Sequence, residues 1–328
     1  MGLTTKDLAR ICGVSRTTVH RALTGVGRIN PQTKEYILKV AKENDYRPDL
    51  LARGLVKGST YYIGVVVLDV NNRYFSQMLS EIEAEAKKKG YFINITLHEN
   101  NKEIEKEQLS RLADYHVDGI ILSSVNKGEG YKRFLENLGT PVVSINNRIA
   151  NKIPFVGINE RNATIEATEK IIQKGYEKIL FVCPPLSSGD KENIYVHEER
   201  AAGFKLVMER HPDKEKIVIG SWDYLELCYE ELIKSSKKTA FFCTADMFAL
   251  ELMKYMKSKG KRTPDDYGIM GFDNIDTLQY VVPRLTTIYN SVTEVARASV
   301  NLLFDLISGN EVDPDIILGY DMIDGDTL

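Results

Sequence analysis

The chain has 328 residues, more than a single hydrophobic core normally organises, so a small module joined to a larger two-lobed body is the expected arrangement. With 43% hydrophobic and 27% charged residues, and no apolar run near the ~20 residues of a membrane span, the composition argues against a membrane-spanning helix. The net charge of -3 is segregated: residues 1–60 carry 11 Lys and Arg against 5 Asp and Glu, a net +6 that leaves -9 on the rest, so only the first segment is suited to meet a polyanion.

The opening residues, Met1 to Asp7, lack the basic start and apolar stretch of a secretory leader, and the expected place of action is the cytoplasm. Thr5 to Ile11 reads as a short helix with Leu8, Ala9 and Ile11 turned inward. Gly13 then supplies a tight turn and Ser15 an N-cap. In the next helix Val19, Ala22 and Leu23 fall at helical spacing, which turns Arg16, Thr17, His20 and Arg21 to the other face. Two short helices joined through a glycine turn make a helix-turn-helix. Asn30 before Pro31 starts a third helix whose Ile37, Val40 and Ala41 close a miniature core. The N-terminal residues of the second helix of such a motif reach base edges in the major groove. Arginine matches the paired acceptors of guanine, which makes Arg16 the first candidate reader.

These residues carry a resemblance. Thr4 to Ala9 and Gly13 to Leu23 are similar to the headpiece signature of the LacI/GalR family of bacterial repressors, and the similarity runs through Tyr46-Arg47-Pro48 into Leu51 to Leu55. The family places a hinge helix there that folds on operator DNA and pushes a leucine into the minor groove, a position held here by Leu55. An apolar wedge of that kind unstacks a base step at a cost of about a few kcal/mol that the added contacts offset. Gly54 departs from the small non-glycine residue usual in the hinge and lowers helix propensity by about 1 kcal/mol. With the resemblance, the expected DNA contacts are Thr5, Ser15, Arg16, Thr17, Thr18, His20, Arg21, Asn30 and Tyr46, with Ala52 and Leu55 in the hinge.

From Ile63 to Leu68 the chain is continuously apolar, as expected of a strand buried on both faces of a parallel sheet. Phe75, Met78, Leu79, Ile82 and Ala86 then recur at helical spacing, and Phe92 to Leu97, Val117 to Leu122 and Val142 to Ile145 alternate with further helical stretches. A second series is expected to begin near Phe155, with strands at Lys178 to Cys183, Lys216 to Ile219, Thr239 to Cys243 and Gly268 to Met270. Two open α/β lobes result. Open parallel sheets bind ligands beyond the carboxyl ends of their strands, which singles out Asp69 and Asn72, Asn147 and Arg148, Trp222, Asp246 and Asp273. Carboxylates, amides, an arginine and one indole suit a polar, ring-shaped ligand, and a sugar or sugar-like metabolite fits best. Each of these polar residues could equally be capping a turn or forming a structural ion pair. The cysteines, Cys12, Cys183, Cys228 and Cys243, show no metal-ligand spacing and read as buried free thiols.

The body also resembles the LacI/GalR effector domain, through Val117 to Ile121, Arg200 to Phe204, Ala245 to Leu250, Gly271 to Asn274 and Pro283 to Ile288 in family order. The resemblance implies an all-α helix-turn-helix headpiece and an α/β periplasmic-binding-protein-like body of two doubly wound parallel-sheet lobes. It puts Phe75, Arg200, Trp222 and Asp273 at effector-contacting positions. Ala245 stands where an asparagine is usual beside Asp246, and Ile194 where purine-responsive members carry arginine. The expected division is a headpiece at 1–46, a hinge and linker at 47–60, and an effector-binding and dimerisation domain at 61–328. Its N-lobe takes about 61–158 and 290–315, its C-lobe about 159–289 and the C-terminal end. The resemblance further implies a homodimer, with tetramers open, reading a pseudo-palindromic operator under allosteric control by the effector, with no cofactor or metal.

A secreted solute-binding protein shares such a body but needs a leader and no basic headpiece; a nucleobase or a protein partner remains an alternative effector. Enzyme activity is not expected, since the chain shows no GxGxxG, P-loop, HExxH or GxSxG pattern and its five histidines form no catalytic grouping. Whether the effector releases or recruits the protein is open.

Overall fold

In the computed structural model, residues 3–46, 58–186 and 192–328 are described. The expected hinge contacts Ala52 and Leu55 lie outside them. The chain forms two compact units, Met1–Tyr61 and Tyr62–Leu328.

The first unit is three helices, α1 (Thr5–Cys12), α2 (Arg16–Thr24) and α3 (Pro31–Glu43). Each begins on a side-chain cap that satisfies otherwise orphaned amides: Thr4 with Asp7 in a capping box, Ser15 on the Thr18 N–H, and Asn30 ahead of Pro31. Gly13 closes α1 at φ 66°, a left-handed conformation that glycine adopts without strain. Leu8, Ala9, Cys12, Val19, Ala22, Ile37, Val40 and Ala41 make the core. Ile11, expected inside, is 45% exposed. Leu8, Ala9 and Cys12 stand at i, i+1 and i+4 and already fill the inward stripe, leaving Ile11 on the flank.

The body holds two parallel sheets. In the first, β1 (Tyr62–Val67), β2 (Phe92–Leu97), β3 (Gly119–Leu122), β4 (Val142–Ile145), β5 (Phe155–Ile158) and β11 (Asp315–Leu318) are ordered β11-β5-β4-β3-β1-β2. The second is ordered β7-β6-β8-β9, from β6 (Lys178–Cys183), β7 (Glu215–Gly220), β8 (Thr239–Cys243) and β9 (Gly268–Met270). A small antiparallel pair, β10 (Thr287–Tyr289) with β12 (Asp321–Ile323), completes the strands. Every pairing within the two larger sheets is parallel, and the buried runs of β1, β3, β4, β6 and β8 have the composition that burial on both faces requires. Phe155–Ile158 does not open the second series. It pairs with β4 on one side and β11 on the other, and so extends the first sheet. In each sheet the chain reverses its winding beside a central strand, β1 and β6 respectively, and the carboxyl ends of those strands are the topological switch points where ligands lodge.

All the cysteines, Cys12, Cys183, Cys228 and Cys243, are buried and unbridged, and burial pushes the Cys183 thiol up to about 12. No helix among the described residues is long and apolar enough to cross a membrane.

Candidate functional site

The first unit presents one polar face. Arg16, Thr17, His20 and Arg21 of α2 are exposed, while Val19 and Ala22 hold the helix to the core, so the register of the apolar stripe itself aims the arginines outward. Ser15 and Thr18 are tied together, Oγ to Oγ1 at 2.8 Å, and Thr5 Oγ1 lies 2.9 Å from the Tyr46 hydroxyl. The Asn30 side chain accepts from the Gln32 and Thr33 amides. These groups shape the face, and Arg16, Thr17, His20 and Arg21 remain as its outward-reaching side chains.

In the body, a cavity of about 510 Å³ opens at the carboxyl ends of both sheets. The first sheet contributes Asn72, Tyr74 and Phe75 at the start of helix α4 (Arg73–Lys88), His98 and Asn100 after β2, Ser123 to Val125 after β3, and Asn146 and Asn147 after β4. Across from them stand Glu160, the segment Asn193 to His197 with Arg200, Trp222, Thr244, Ala245, Phe248, Asp273 and Asn290. Trp222 is 67% exposed and lies nearly parallel to Phe248, with ring centroids 6.4 Å apart.

Arg200 is the centre of the floor. It is buried, donates from Nε to Glu160 Oε2 at 2.8 Å and from Nη1 to the Thr244 carbonyl, and its guanidinium carbon sits 3.4 Å from the Phe272 ring centroid. Asp273 Oδ1 lies 3.9 Å from Arg200 Nη1 and accepts from Asn290 Nδ2 at 2.9 Å. The Asp273 backbone takes φ 118°, a conformation costly for a side-chain-bearing residue. It is held by the bond from its N–H to the Ile288 carbonyl and by a parallel bridge to Tyr289. Burial pushes both the Asp273 and Glu160 carboxyls up, and the Arg200 charge pulls them back. His197, whose Nδ1 is 3.1 Å from Thr244 Oγ1, is held down at about 3 by burial and by Arg200, and is uncharged at neutral pH. Burial likewise lowers His98, whose Nε2 meets the Ser123 carbonyl at 2.9 Å.

Of the residues singled out from the sequence, Asn72, Phe75, Asn147, Arg200, Trp222 and Asp273 line this cavity, and Asp69, Arg148 and Asp246 do not. Asp69 accepts from the Asn71 and Asn72 amides at 2.8 Å each, a turn that sets Asn72 to cap α4 through the Tyr74 amide. Arg148 is drawn aside by Asp315 at 2.6 Å and by the Phe155 ring. Asp246 is fully buried beneath the floor, accepting from Thr287 Oγ1 at 2.6 Å and the Ile275 amide at 2.9 Å, and its carboxyl is raised by burial to about 7. Asn147 lines the cavity with its amide committed, donating to the Ser124 and Asn193 carbonyls and accepting from the Val196 amide.

Residues 4–49 match the family described as bacterial regulatory proteins, lacI family, and residues 168–328 match a periplasmic binding protein-like domain. Catabolite control protein A of Staphylococcus xylosus is 30% identical over 326 residues, covering 98% of this chain and 97% of that one. The chain belongs to the lacI family. It is a DNA-binding transcription regulator with a ligand-binding body, and not an enzyme. The fold matches the crystallised lac repressor dimer bound to operator, with a TM-score of 0.87 at 21% identity over 100% of this chain and 99% of that one. The body also matches a lacI-type regulator from Alkaliphilus metalliredigens complexed with D-xylulofuranose, at 28% identity and a TM-score of 0.71 over 81% of this chain and 98% of that one.

The sequence reading passed over Tyr74, His98, Ser123, Asn146, Glu160, His197, Thr244 and Asn290. Most stand directly after a strand, so the rule that singled out Asn72 and Asp273 would have found His98, Ser123, Asn146, Thr244 and Asn290 had it been applied to every strand end. Glu160, two residues past β5, is reached by the same rule, whereas His197 carries no such mark, since it arrives on a helix that only the fold swings over the cleft.

Proposed function

We propose that this lacI-family regulator is a cytoplasmic homodimeric repressor whose affinity for a pseudo-palindromic operator is set by a carbohydrate effector in the cleft. The observation that carries the effector reading is the pairing of a hydrogen-bonding floor, Arg200 with Asp273 and Asn290, with the exposed Trp222 face on one 510 Å³ cavity, a combination suited to hydroxyls on one side of a ring and C–H groups on the other. Asn72, Phe75 and Asn147 form the opposite wall in this reading; Asp69, Arg148 and Asp246 support it from outside the cavity. D-xylulofuranose in the A. metalliredigens relative favours the same class.

For DNA, Arg16 and Arg21 are the base-edge and phosphate groups of α2, with Thr17, Thr18 and His20 beside them and Thr5, Ser15, Asn30 and Tyr46 fixing the headpiece on the backbone. Ala52 and Leu55 are assigned to the minor groove. The working division is a headpiece at 1–46, a linker at 47–60 and a body at 61–328. Exposed Phe92 and Ile95 on edge strand β2, with exposed Tyr280 and Val282 on the other lobe, offer apolar surface for a second copy.

The test is selection of bound sequences from random duplex DNA by the full chain, followed by titration of the selected duplex with a sugar panel. A palindromic consensus whose affinity shifts with one sugar is the expected result. A consensus insensitive to every sugar, with the protein unchanged in thermal stability, would remove the carbohydrate and leave the DNA-binding function standing.

A further inference from the structure

Two sets of hydrogen bonds run from one lobe of the body to the other around the effector cleft. The first lies at the rim. Arg73, the first residue of α4, follows cavity-lining Asn72 and precedes Tyr74 and Phe75, while Asp276 opens a short 3-10 turn, Asp276–Tyr280, three residues after Asp273. Arg73 donates from Nε to Asp276 Oδ1 at 3.0 Å and from Nη2 to Asp276 Oδ2, a two-pronged fit of guanidinium to carboxylate. The Asp276 amide donates in turn to Gln77 Oε1, one turn further along α4, at 3.1 Å. Each charge favours the other: the Arg73 hydrogen bond holds the Asp276 carboxyl below its ordinary range, and Asp276 raises Arg73.

The second set joins the loops after β3 and β4 to the segment that leads into the helix Tyr195–Arg210. Asn193 is buried. Its amide donates to the Val125 carbonyl at 2.8 Å and its side chain to the Arg148 carbonyl at 2.9 Å. The Val196 amide lies in the first turn of that helix, where an amide has no intrahelical partner, and donates to Asn147 Oδ1 at 3.2 Å.

An ion pair as exposed as Arg73 with Asp276, whose side chains are 44% and 40% accessible, contributes little to folding. Its leverage lies elsewhere. The partners belong to different lobes, one beside the wall at Asn72 and Phe75 and the other beside the floor at Asp273, so their contact acts on the spacing of wall and floor. An equilibrium between open and closed lobes responds to the whole free energy of a contact made in only one of the two states.

We propose that Arg73 and Asp276 are positioning residues, whose ion pair latches the lobes over the effector cleft in one movement with the Asn193 clamp and makes opening of the cleft dependent on salt. The latch holds whatever class of effector the cleft takes.

The experiment is hydrogen–deuterium exchange of the full chain without ligand, read at the Asn193 and Val196 amides, which are bonded across the cleft and are far in sequence from the latch. Arg73→Met keeps the aliphatic stem and removes the charge. It should speed exchange at both amides about two- to fivefold at ~0.05 M salt, with the amides of buried strand β6 unchanged. In the parent the same two amides should exchange faster at ~0.5 M salt, and in Arg73→Met that salt effect should vanish. Asp276→Asn should act in the same direction, and combining the two substitutions should add nothing further, because either alone breaks the pair. Unchanged exchange at Asn193 and Val196 in Arg73→Met, with any change confined to the Asp276 amide, overturns the latch and leaves a local surface pair. A salt effect undiminished in that variant, or two substitutions whose effects add, overturns it equally.

Discussion

Asp246 gives the sharpest quantitative prediction, because its carboxyl is fully buried and held by the Thr287 hydroxyl and the Ile275 amide. Burial raises it from the ordinary 3.8 to about 7. A carboxyl raised on folding binds its proton more tightly in the native state, so the stability that proton confers is complete below pH 3.8 and is lost as pH rises toward 7. Across about three pH units at ~1.4 kcal/mol each, the loss approaches ~4 kcal/mol and then levels off. Asp246→Asn removes the titration at little cost in contacts. The amide oxygen can accept from the Ile275 N–H, and the amide nitrogen can donate to Thr287 Oγ1, whose hydroxyl is free to turn. Taking the charge away also relieves Asp273, which feels Asp246 directly, and this adds to the gain. At about 2–4 °C per kcal/mol, the variant should gain up to ~10 °C over the parent at pH 8 and only about a quarter of that at pH 4.5. Melting of both proteins from pH 4.5 to 8.5 is the assay. A difference that does not change with pH would refute the assignment of a buried, strained charge to Asp246.

Three further outcomes follow from named contacts. Arg16→Ala should relax base preference at one operator position by about 1–3 kcal/mol while leaving headpiece folding unchanged, read by competition against single-base operator variants; undiminished preference would remove Arg16 from direct readout. Arg200→Ala leaves Glu160 buried without its partner and should destabilise the body by about 3–5 kcal/mol in urea unfolding as well as abolish the effector response. Gly271→Ala places a Cβ 2.2 Å from Asp246 Oδ1 and 2.9 Å from Leu285, with backbone close by. It should cost at least the ~1–3 kcal/mol of an overpacked core and displace Asp273 two residues on, with loss of effector response at a temperature where the variant is still folded.

The fold was legible because its signals are local. Continuous apolar runs bounded by helical periodicity located Phe92–Leu97, Val142–Ile145, Lys178–Cys183, Thr239–Cys243 and Gly268–Met270 at their observed bounds. What local pattern could not supply was which sheet a strand joins. Phe155–Ile158 looks in sequence like the start of a second winding, yet its neighbours in space are Ser144 to Ile145 and Asp315 to Leu318, the latter some 160 residues away. Ile11 went wrong for a smaller reason: an eight-residue helix has room for one inward stripe, and hydrophobicity alone does not say which apolar residue flanks it.

The site was legible to the extent that its residues sit at strand ends, and illegible where a neighbour decides the direction of a side chain. Arg148 follows Asn147 directly, and both come after β4; one lines the cavity while Asp315 and Phe155 hold the other aside. Asp246 and Asp273 are both acids just past a strand, and differ because Gly271 lets Asp246 close in beneath the floor while the left-handed turn at Asp273 lifts its carboxylate to the cavity. Their separation has a functional consequence. The lower acid accepts from Thr287 and Ile275, whereas the upper one keeps an oxygen that no donor among the described residues meets. That oxygen belongs to a residue beside Arg200 on the cavity floor, so an effector donor that fills it would act next to Arg200 and its partner Glu160. If such an effector shifts operator affinity, then by linkage the operator alters effector affinity by the same factor.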